Sequence, residues 1–298
     1  DFVAAKRKKG VMIGYHLRRS SQIFDVGECP LIAPEILNLV KPLRAMLPTI
    51  MPRSSKARLT LTVTMNGLDL LITAGFALDL EARETLSNFA QANKLCRICW
   101  HDESEKLLEQ VSAIHPAEIQ IGSKKGLLPP GGFLQATLDG QETLIKLMQE
   151  NLPENIRILD LFSGCGSFSL PAAHTAKAVH AVEGDEELIF ALQNASNKYM
   201  LSITTETRDL FRNPLAPYEL NKFDAVIIDP PRAGANAQAI EIASSDVKHV
   251  IFISCNPASY ARDVKVLVEG GYRLKTVIPI DQFRWSSHVE LFSVLEKI

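Results

Sequence analysis

Polar and apolar positions along the chain follow one pattern up to about residue 130 and another beyond it. In the first stretch, residues 11–17 and 22–26 read as short strands. Residues 58–65 alternate polar and apolar, Asn66-Gly67 follows, and 68–73 is an apolar run. An Asn-Gly pair between two such runs predicts a two-residue hairpin turn. Residues 79–92 carry Ala82, Leu86, Phe89 and Ala90 at helical spacing, with Asp79 placed as the N-cap. Pro129-Pro130-Gly131-Gly132 breaks the pattern, and the domain boundary is set just before it.

Beyond the break, strands are predicted at 156–161, 178–182, 203–207, 225–228, 249–253, 273–279 and 289–295. Helices are predicted at 169–177, 185–197 and 258–269. Buried strands alternating with helices predict an α/β fold with a Rossmann-like, doubly wound, mainly parallel sheet. The expected organisation is an N-terminal α+β domain over 1–125 and this sheet domain over 126–298.

Composition adds limits. Hydrophobic residues are 46% and charged residues 22%, ordinary for a soluble globular protein. Nothing approaches the roughly 20 apolar residues of a membrane span, and no signal peptide is visible, so a cytoplasmic protein with no membrane partner is expected. The chain begins with Asp1 rather than Met, as a trimmed protein would. Five scattered cysteines form no disulfide framework and fit a reducing compartment. The net charge of -2 says nothing for nucleic acid, but residues 1–20 hold Lys6, Arg7, Lys8, Lys9, Arg18 and Arg19 against Asp1. Such a cluster can contact phosphates, or can be a solvated basic arm.

The candidate chemistry lies at the predicted strand ends, where open α/β sheets bind ligands. The first end reads Asp160-Leu-Phe-Ser-Gly164-Cys-Gly166-Ser167-Phe-Ser169. Its glycines allow a sharp turn and close approach to a ligand. Glu183 closes the next strand, where a carboxylate can accept from both ribose hydroxyls, and Asp209 follows the third, where it can read an adenine amino group. A dinucleotide site begins similarly, but its third glycine is Ser169 here. A nucleoside without a pyrophosphate, as in S-adenosylmethionine, fits better.

Two further ends carry Asp229-Pro230-Pro231-Arg232 and Ser254-Cys255-Asn256-Pro257. The first is similar to the loop of amino-group methyltransferases, with Arg232 where those enzymes stack an aromatic on the base. The second supplies what carbon methylation needs. Uracil C5 is a poor nucleophile until a thiolate adds to C6, and the C5 proton must then be removed by a base. Cys255 stands before a helix start, with Asn256 as N-cap and Pro257 in the first turn, a context that favours thiolate. Glu290, in the apolar run Val289-Glu290-Leu291-Phe292, is the candidate base, and His288 is the alternative base or an RNA contact.

These residues together resemble the RNA uracil-C5 methyltransferases that modify ribosomal RNA and the T-loop of transfer RNA, above all the ribosomal-RNA branch. The resemblance rests on GGFLQA, DLFSGCGSFSLP, the acid of AVEGD, RDL, DPPRAG, SCNPASYARD and HVE. It implies a class I methyltransferase using S-adenosylmethionine, with Cys255 as nucleophile and Glu290 as base. It further implies that Gln135, Phe162, Ser167, Glu183, Asp209 and Asp229 surround the cofactor or the target uracil. Thr137 and Ser167 stand where the family often has Asn.

Many relatives also begin with a β-barrel RNA-binding domain and a cysteine cluster holding [4Fe-4S]. Cys29 is similar to the last ligand of that cluster, so the resemblance implies an N-terminally truncated protein whose longer parent would hold the cluster. Cys96-x-x-Cys99 with His101 is a single pair in an expected strand and makes a poor zinc site. The expected partner is RNA, ribosomal before transfer, met by a monomer. Cytosine C5 methylation and a catalytically impaired RNA-binding module of the same fold are the competing readings.

Overall fold

The computed structural model describes residues 1–17, 20–286 and 288–298; Arg18 and Arg19 of the basic cluster and Ser287 lie outside the described residues. The chain divides into two compact units. One holds Asp1–Ile119 with Leu128–Gly131, the other Gln120–Leu127 with Gly132–Ile298.

The first unit contains β1 (Phe2–Arg7), β2 (Gly10–His16), β3 (Ile23–Asp25), α1 (Pro34–Ile50), β4 (Lys56–Thr64), β5 (Gly67–Ala74), α2 (Leu80–Ala92), β6 (Leu95–Asp102) and β7 (Leu107–Ala113). Its seven strands form one sheet in the order β3-β2-β1-β4-β5-β6-β7, antiparallel except between β5 and β6. The core joins Leu43 and Leu47 of α1, Leu86 of α2, and Leu59, Leu70 and Ile72 of the sheet. Asp79 caps α2 as expected, accepting from the Ala82 N–H at 2.8 Å.

Two expectations are corrected here, on the basic cluster and on the hairpin turn. The basic cluster is not a free arm: Phe2, Ala4 and Ala5 are buried in β1, and Lys6 Nζ donates to the Pro48 and Met51 carbonyls at 2.7 and 2.5 Å. Those oxygens lie at the end of α1, where a cation offsets unpaired carbonyls. The 58–73 hairpin forms, but Thr64 pairs with Gly67, so Met65 and Asn66 make the turn. Gly67 is instead needed within the sheet, where a Cβ would stand 2.8 Å from the Lys94 carbonyl oxygen. Cys96 and Cys99 are buried in β6, and among the described residues no three His, Cys, Asp or Glu side chains gather as a metal site. Cys29 is a free, half-buried thiol packed against the core, so the residues present do not fit an iron-sulfur cluster.

The second unit begins with β8 (Glu118–Ile121) and β9 (Lys124–Leu127), a two-stranded ribbon whose first two residues belong to the first unit. There follow α3 (Leu138–Asn151), β10 (Arg157–Leu161), α4 (Ser169–Ala172), β11 (Ala178–Glu183), α5 (Glu186–Lys198), β12 (Ile203–Thr207), α6 (Pro217–Leu220) and β13 (Ala225–Ile228). The chain closes with α7 (Asn236–Ala243), β14 (His249–Ser254), α8 (Pro257–Glu269), β15 (Tyr272–Ile280) and β16 (Glu290–Lys297). The sheet order is β12-β11-β10-β13-β14-β16-β15, parallel except for β16, which runs antiparallel between β14 and β15. Ile158, Leu159, Val226, Ile227 and residues 250–253 are all at most 1% exposed, so the central strands are covered on both faces. That is why they read as unbroken apolar runs.

The helix expected at 169–177 is only the single turn Ser169–Ala172. Thr175 N already bonds the Ala172 carbonyl, and Lys177 N bonds Ile156 O, drawing the chain back to start β11. No helix among the described residues is long and apolar enough to cross a membrane.

Candidate active site

The strand order reverses direction at β10 and β13, so a crevice opens beyond their carboxyl ends. Phe162, Glu183, Asp209, Asp229 and Cys255 all lie at or just past the ends of parallel strands. Because β16 is antiparallel, its first residue, Glu290, starts at that same edge. Topology alone therefore gathers these residues.

The turn after β10 carries three residues at positive φ: Phe162 at 60°, Gly164 at 55° and Gly166 at 98°. Its hydrogen bonds tie it to neighbouring strand ends. Glu183 accepts from the N–H groups of Gly164 (3.1 Å), Gly184 (2.7 Å) and Asp185 (3.2 Å), leaving part of the roughly four-bond capacity of a carboxylate. Asp160 is fully buried; its Oδ2 accepts from Ser169 Oγ at 2.5 Å, while its Oδ1 and Ser163 Oγ are buried without a partner. Burial, helped by the charge of Asp229, pushes the Asp160 carboxyl up to about 7. Ser169 thus bonds Asp160 in the place where a dinucleotide loop has its third glycine.

Asp209 Oδ1 accepts from the N–H groups of Phe211 (3.0 Å) and Arg212 (3.3 Å), fixing its direction at the end of β12. The Phe162 and Phe211 rings approach to 5.4 Å, which places an apolar edge between the first and third strand ends. Phe211 is 50% exposed and was not singled out from sequence, although it follows directly on the RDL motif. A Cβ added to Gly164 would meet nothing within 4 Å, so the turn borders open space. Unpartnered buried oxygens, a carboxylate with spare capacity and an aromatic edge fit the nucleoside part of S-adenosylmethionine. Ser167 lies half-buried in the same turn.

A second set of residues surrounds Cys255. Ser254 pairs with Leu291 at the end of the β14–β16 ladder; Cys255 is the residue after Ser254 and Glu290 the residue before Leu291, and the Glu290 charge reaches the Cys255 thiol. Glu290 is 4% exposed, and burial pushes its carboxyl up to about 7. Asp229, half-buried past β13, is pushed up to about 8 by burial and by the Glu290 charge, against a hydrogen bond from Gln135. The Cys255 thiol is itself raised, by burial and then by Glu290 and Asp229, with Arg232 opposing. This corrects the expectation of a thiolate-favouring helix start. Cys255 precedes the cap residue, and two nearby carboxylates outweigh the helix end.

The loop carrying Asp229 is held by α8. Asn256 caps that helix through Oδ1 to Ala258 N (3.1 Å) and donates from Nδ2 to the Arg232 carbonyl (2.8 Å). Ser259 Oγ donates to the same carbonyl, and Arg262 to that of Ala233. Fully buried Asp263 accepts from Ala235 N at 2.7 Å. On the other side, Gln135 Nε2 donates to Asp229 Oδ2 at 3.1 Å, while Gln135 Oε1 accepts from Gln282 Nε2 at 2.9 Å. Gln282 was missed from sequence. It is buried against Gly140 in the first turn of α3, and the one signal was a lone Gln between Asp281 and Phe283. His288 is exposed, with Nδ1 at 3.3 Å from Arg232 Nη2.

The reversed sheet order with a nucleoside-type crevice defines a class I, S-adenosylmethionine-dependent methyltransferase. A family model described as tRNA (Uracil-5-)-methyltransferase matches residues 142–298. A protein of Mesorhizobium japonicum named as an uncharacterized RNA methyltransferase is 40% identical over 99% of this chain and 71% of its own length. The 23S rRNA (uracil(1939)-C(5))-methyltransferase of Shewanella woodyi is 28% identical over 97% of this chain and 66% of its own. Among solved structures, the tRNA (uracil-54, C5)-methyltransferase of Pyrococcus abyssi in complex with S-adenosyl-L-homocysteine shares the fold with a TM-score of 0.76 at 22% identity, covering 98% of this chain and 74% of that one. The chain belongs to the tRNA (uracil-5-)-methyltransferase family. It is an RNA methyltransferase with S-adenosylmethionine as its cofactor.

Proposed function

We propose that this enzyme methylates C5 of a uridine in 23S ribosomal RNA through a covalent adduct between Cys255 and uracil C6. The observation that carries the proposal is the convergence of Cys255, just past β14, with Glu290 at the start of the adjacent β16 and Asp229 just past β13, near enough for the two carboxylates to raise the thiol. Cys255 gives up its proton to solvent as the substrate binds, the thiolate adds to C6, and negative charge collects on the uracil C4 oxygen. Asp229, held largely as the neutral acid near pH 7, donates a hydrogen bond there. Bound S-adenosylmethionine supplies an electrophilic methyl group, which the enolate carbon takes. Glu290 then takes the C5 proton, and the freed pair forms the C5–C6 double bond. The C6–S bond breaks with its electrons on sulfur, so Cys255 leaves as thiolate and is reprotonated from solvent. A carboxylate that titrates near 7 is well matched to that proton transfer.

Glu183, Asp209, Phe162, Ser167 and Gln135 are assigned to hold the cofactor or to set Asp229. The first unit is assigned to RNA contact. Every proposed catalytic group comes from one chain, so a monomer suffices, and five free thiols suit the cytoplasm. Transfer RNA is the second substrate reading, supported by the description of the family model.

RNA containing 5-fluorouridine tests the chemistry, because fluorine at C5 cannot leave as a proton. The wild-type protein is expected to form a covalent adduct with this RNA and labelled cofactor, and Cys255→Ala to form none. An adduct that survives Cys255→Ala would overturn the assignment. Glu290→Gln is expected to accumulate adduct on ordinary RNA, and normal turnover by that variant would move the base role to His288. Mass spectrometry of separated ribosomal and transfer RNA after incubation decides between the two substrates.

A further inference from the structure

The connection between β15 and β16 contains a turn in which Ser286 N bonds the Phe283 carbonyl at 3.0 Å. Its third residue, Trp285, has φ +62°. That turn position selects Gly or Asn, since a bulky L residue is strained there. Burial does not compensate, because Trp285 is 83% exposed. An exposed outlier of this kind is a reason to ask what its neighbours would use it for.

Its neighbours show what that is. Five residues on, the chain reaches Glu290, the first residue of the strand paired with β14, whose end leads into Cys255. The Phe283 ring meets His288 edge-on at 5.8 Å, and His288 Nδ1 lies 3.3 Å from Arg232, in the loop beside Cys255. The turn therefore belongs to the rim of the proposed catalytic site. Arg232 and Arg284 are both exposed there, and among the described residues neither lies within 4.0 Å of a carboxylate. An exposed indole at a rim that also carries two exposed guanidinium groups suits a nucleobase and its phosphates. An enzyme acting on a base must draw it out of its stack, which leaves the adjacent base without a neighbour.

We propose that Trp285 stacks on the nucleobase next to the target uridine, with Arg232 and Arg284 on the flanking phosphates. This rests on the reading that Cys255 marks where the uracil binds. The chain holds two tryptophans, and the other, Trp100, is 2% exposed, so RNA-dependent quenching of fluorescence reports on Trp285. The test titrates Cys255→Ala protein, which binds without chemistry, with a stem-loop RNA holding one loop uridine between two adenosines.

Quenching is expected, and is lost when Trp285→Phe is added. Adding Trp285→Ala weakens binding on the order of tenfold. Replacing both adenosines by abasic residues removes that difference. Trp285→Gly, which relieves the turn, is expected to fold at least as stably yet bind RNA as weakly as Trp285→Ala. Absent quenching at saturating RNA, unchanged affinity in Trp285→Gly, or a Trp285 effect that persists on abasic RNA would each overturn the stacking role. Failure of the catalytic reading shows separately, as absence of a 5-fluorouridine adduct with wild-type protein.

Discussion

The environment of Cys255 is the least expected feature of the catalytic edge. A nucleophilic cysteine is commonly activated by a depressed pKa. Here burial, Glu290 and Asp229 hold the thiol up, against Arg232 and a backbone hydrogen bond. The resting protein therefore keeps Cys255 protonated at neutral pH, and the proton must leave as substrate binds. Replacing Glu290 by Gln removes a negative charge that acts on the sulfur, so the thiol pKa should fall. Iodoacetamide should alkylate Cys255 several-fold faster at pH 7.5 in Glu290→Gln than in wild type, read by mass spectrometry of the Cys255 peptide. Equal or slower alkylation would show that Glu290 does not act on the thiol. The motif around Cys255 is legible in sequence because cap, proline and cysteine are consecutive, but the sign of its pKa shift is not. That sign depends on carboxylates 26 residues before it and 35 after it, brought near only by strand order.

Among the elements, α8 does more than pack against the sheet. Asn256, Ser259, Arg262 and Asp263 all bond the backbone between Arg232 and Ala235, so the helix fixes the loop that presents Asp229 and Arg232. Gly234 makes this approach possible. It has φ +78°, and a Cβ there would stand 2.4 Å from Asp263 Oδ2 and 2.8 Å from Ser259 Cβ. Gly234→Ala is therefore expected to lower stability by about 1–3 kcal/mol and to cut kcat by tenfold or more. Asn256→Ala, which removes a cap and one tie, should cost about 1 kcal/mol. Urea unfolding with single-turnover assays would check both; a Gly234→Ala protein with wild-type turnover would show that the clamp does not govern the loop.

The mainly parallel sheet was readable because strands covered on both faces stay apolar throughout, and α2, α5 and α8 because each carries a side-chain cap. Other elements were hidden, and three of them show why. Prolines at 34, 42 and 48 disguised α1, the charges of Lys6 and Arg7 disguised β1, and Gly140 with Gln141 weakened the apolar stripe of α3. Gly140 and Gln282 define each other by contact, and no single-sequence pattern records a contact across that distance.

For the whole molecule, the gathering of acids at one sheet edge implies an unusual dependence of stability on pH. Asp160, Asp229 and Glu290 are pushed up to about 7, 8 and 7. Between their ordinary values near 4 and these raised ones, the folded protein keeps protons that the unfolded chain has released. Stability must then fall as pH rises through that window and level off above it, the reverse of the usual behaviour of salt-bridged carboxylates. For Glu290, which is 4% exposed, the loss is on the order of 2–3 kcal/mol. Glu290→Gln cannot ionise and should escape its share. Thermal unfolding in one buffer series is expected to show wild type losing about 5 °C more than Glu290→Gln between pH 5.5 and 8.5. Parallel melting curves for the two proteins would mean that Glu290 is solvated enough to ionise freely. In that case the base would titrate near 4, and the low-pH limb of turnover would shift down with it. The same substitution thus reads out the electrostatic state of the site twice, once in folding and once in catalysis.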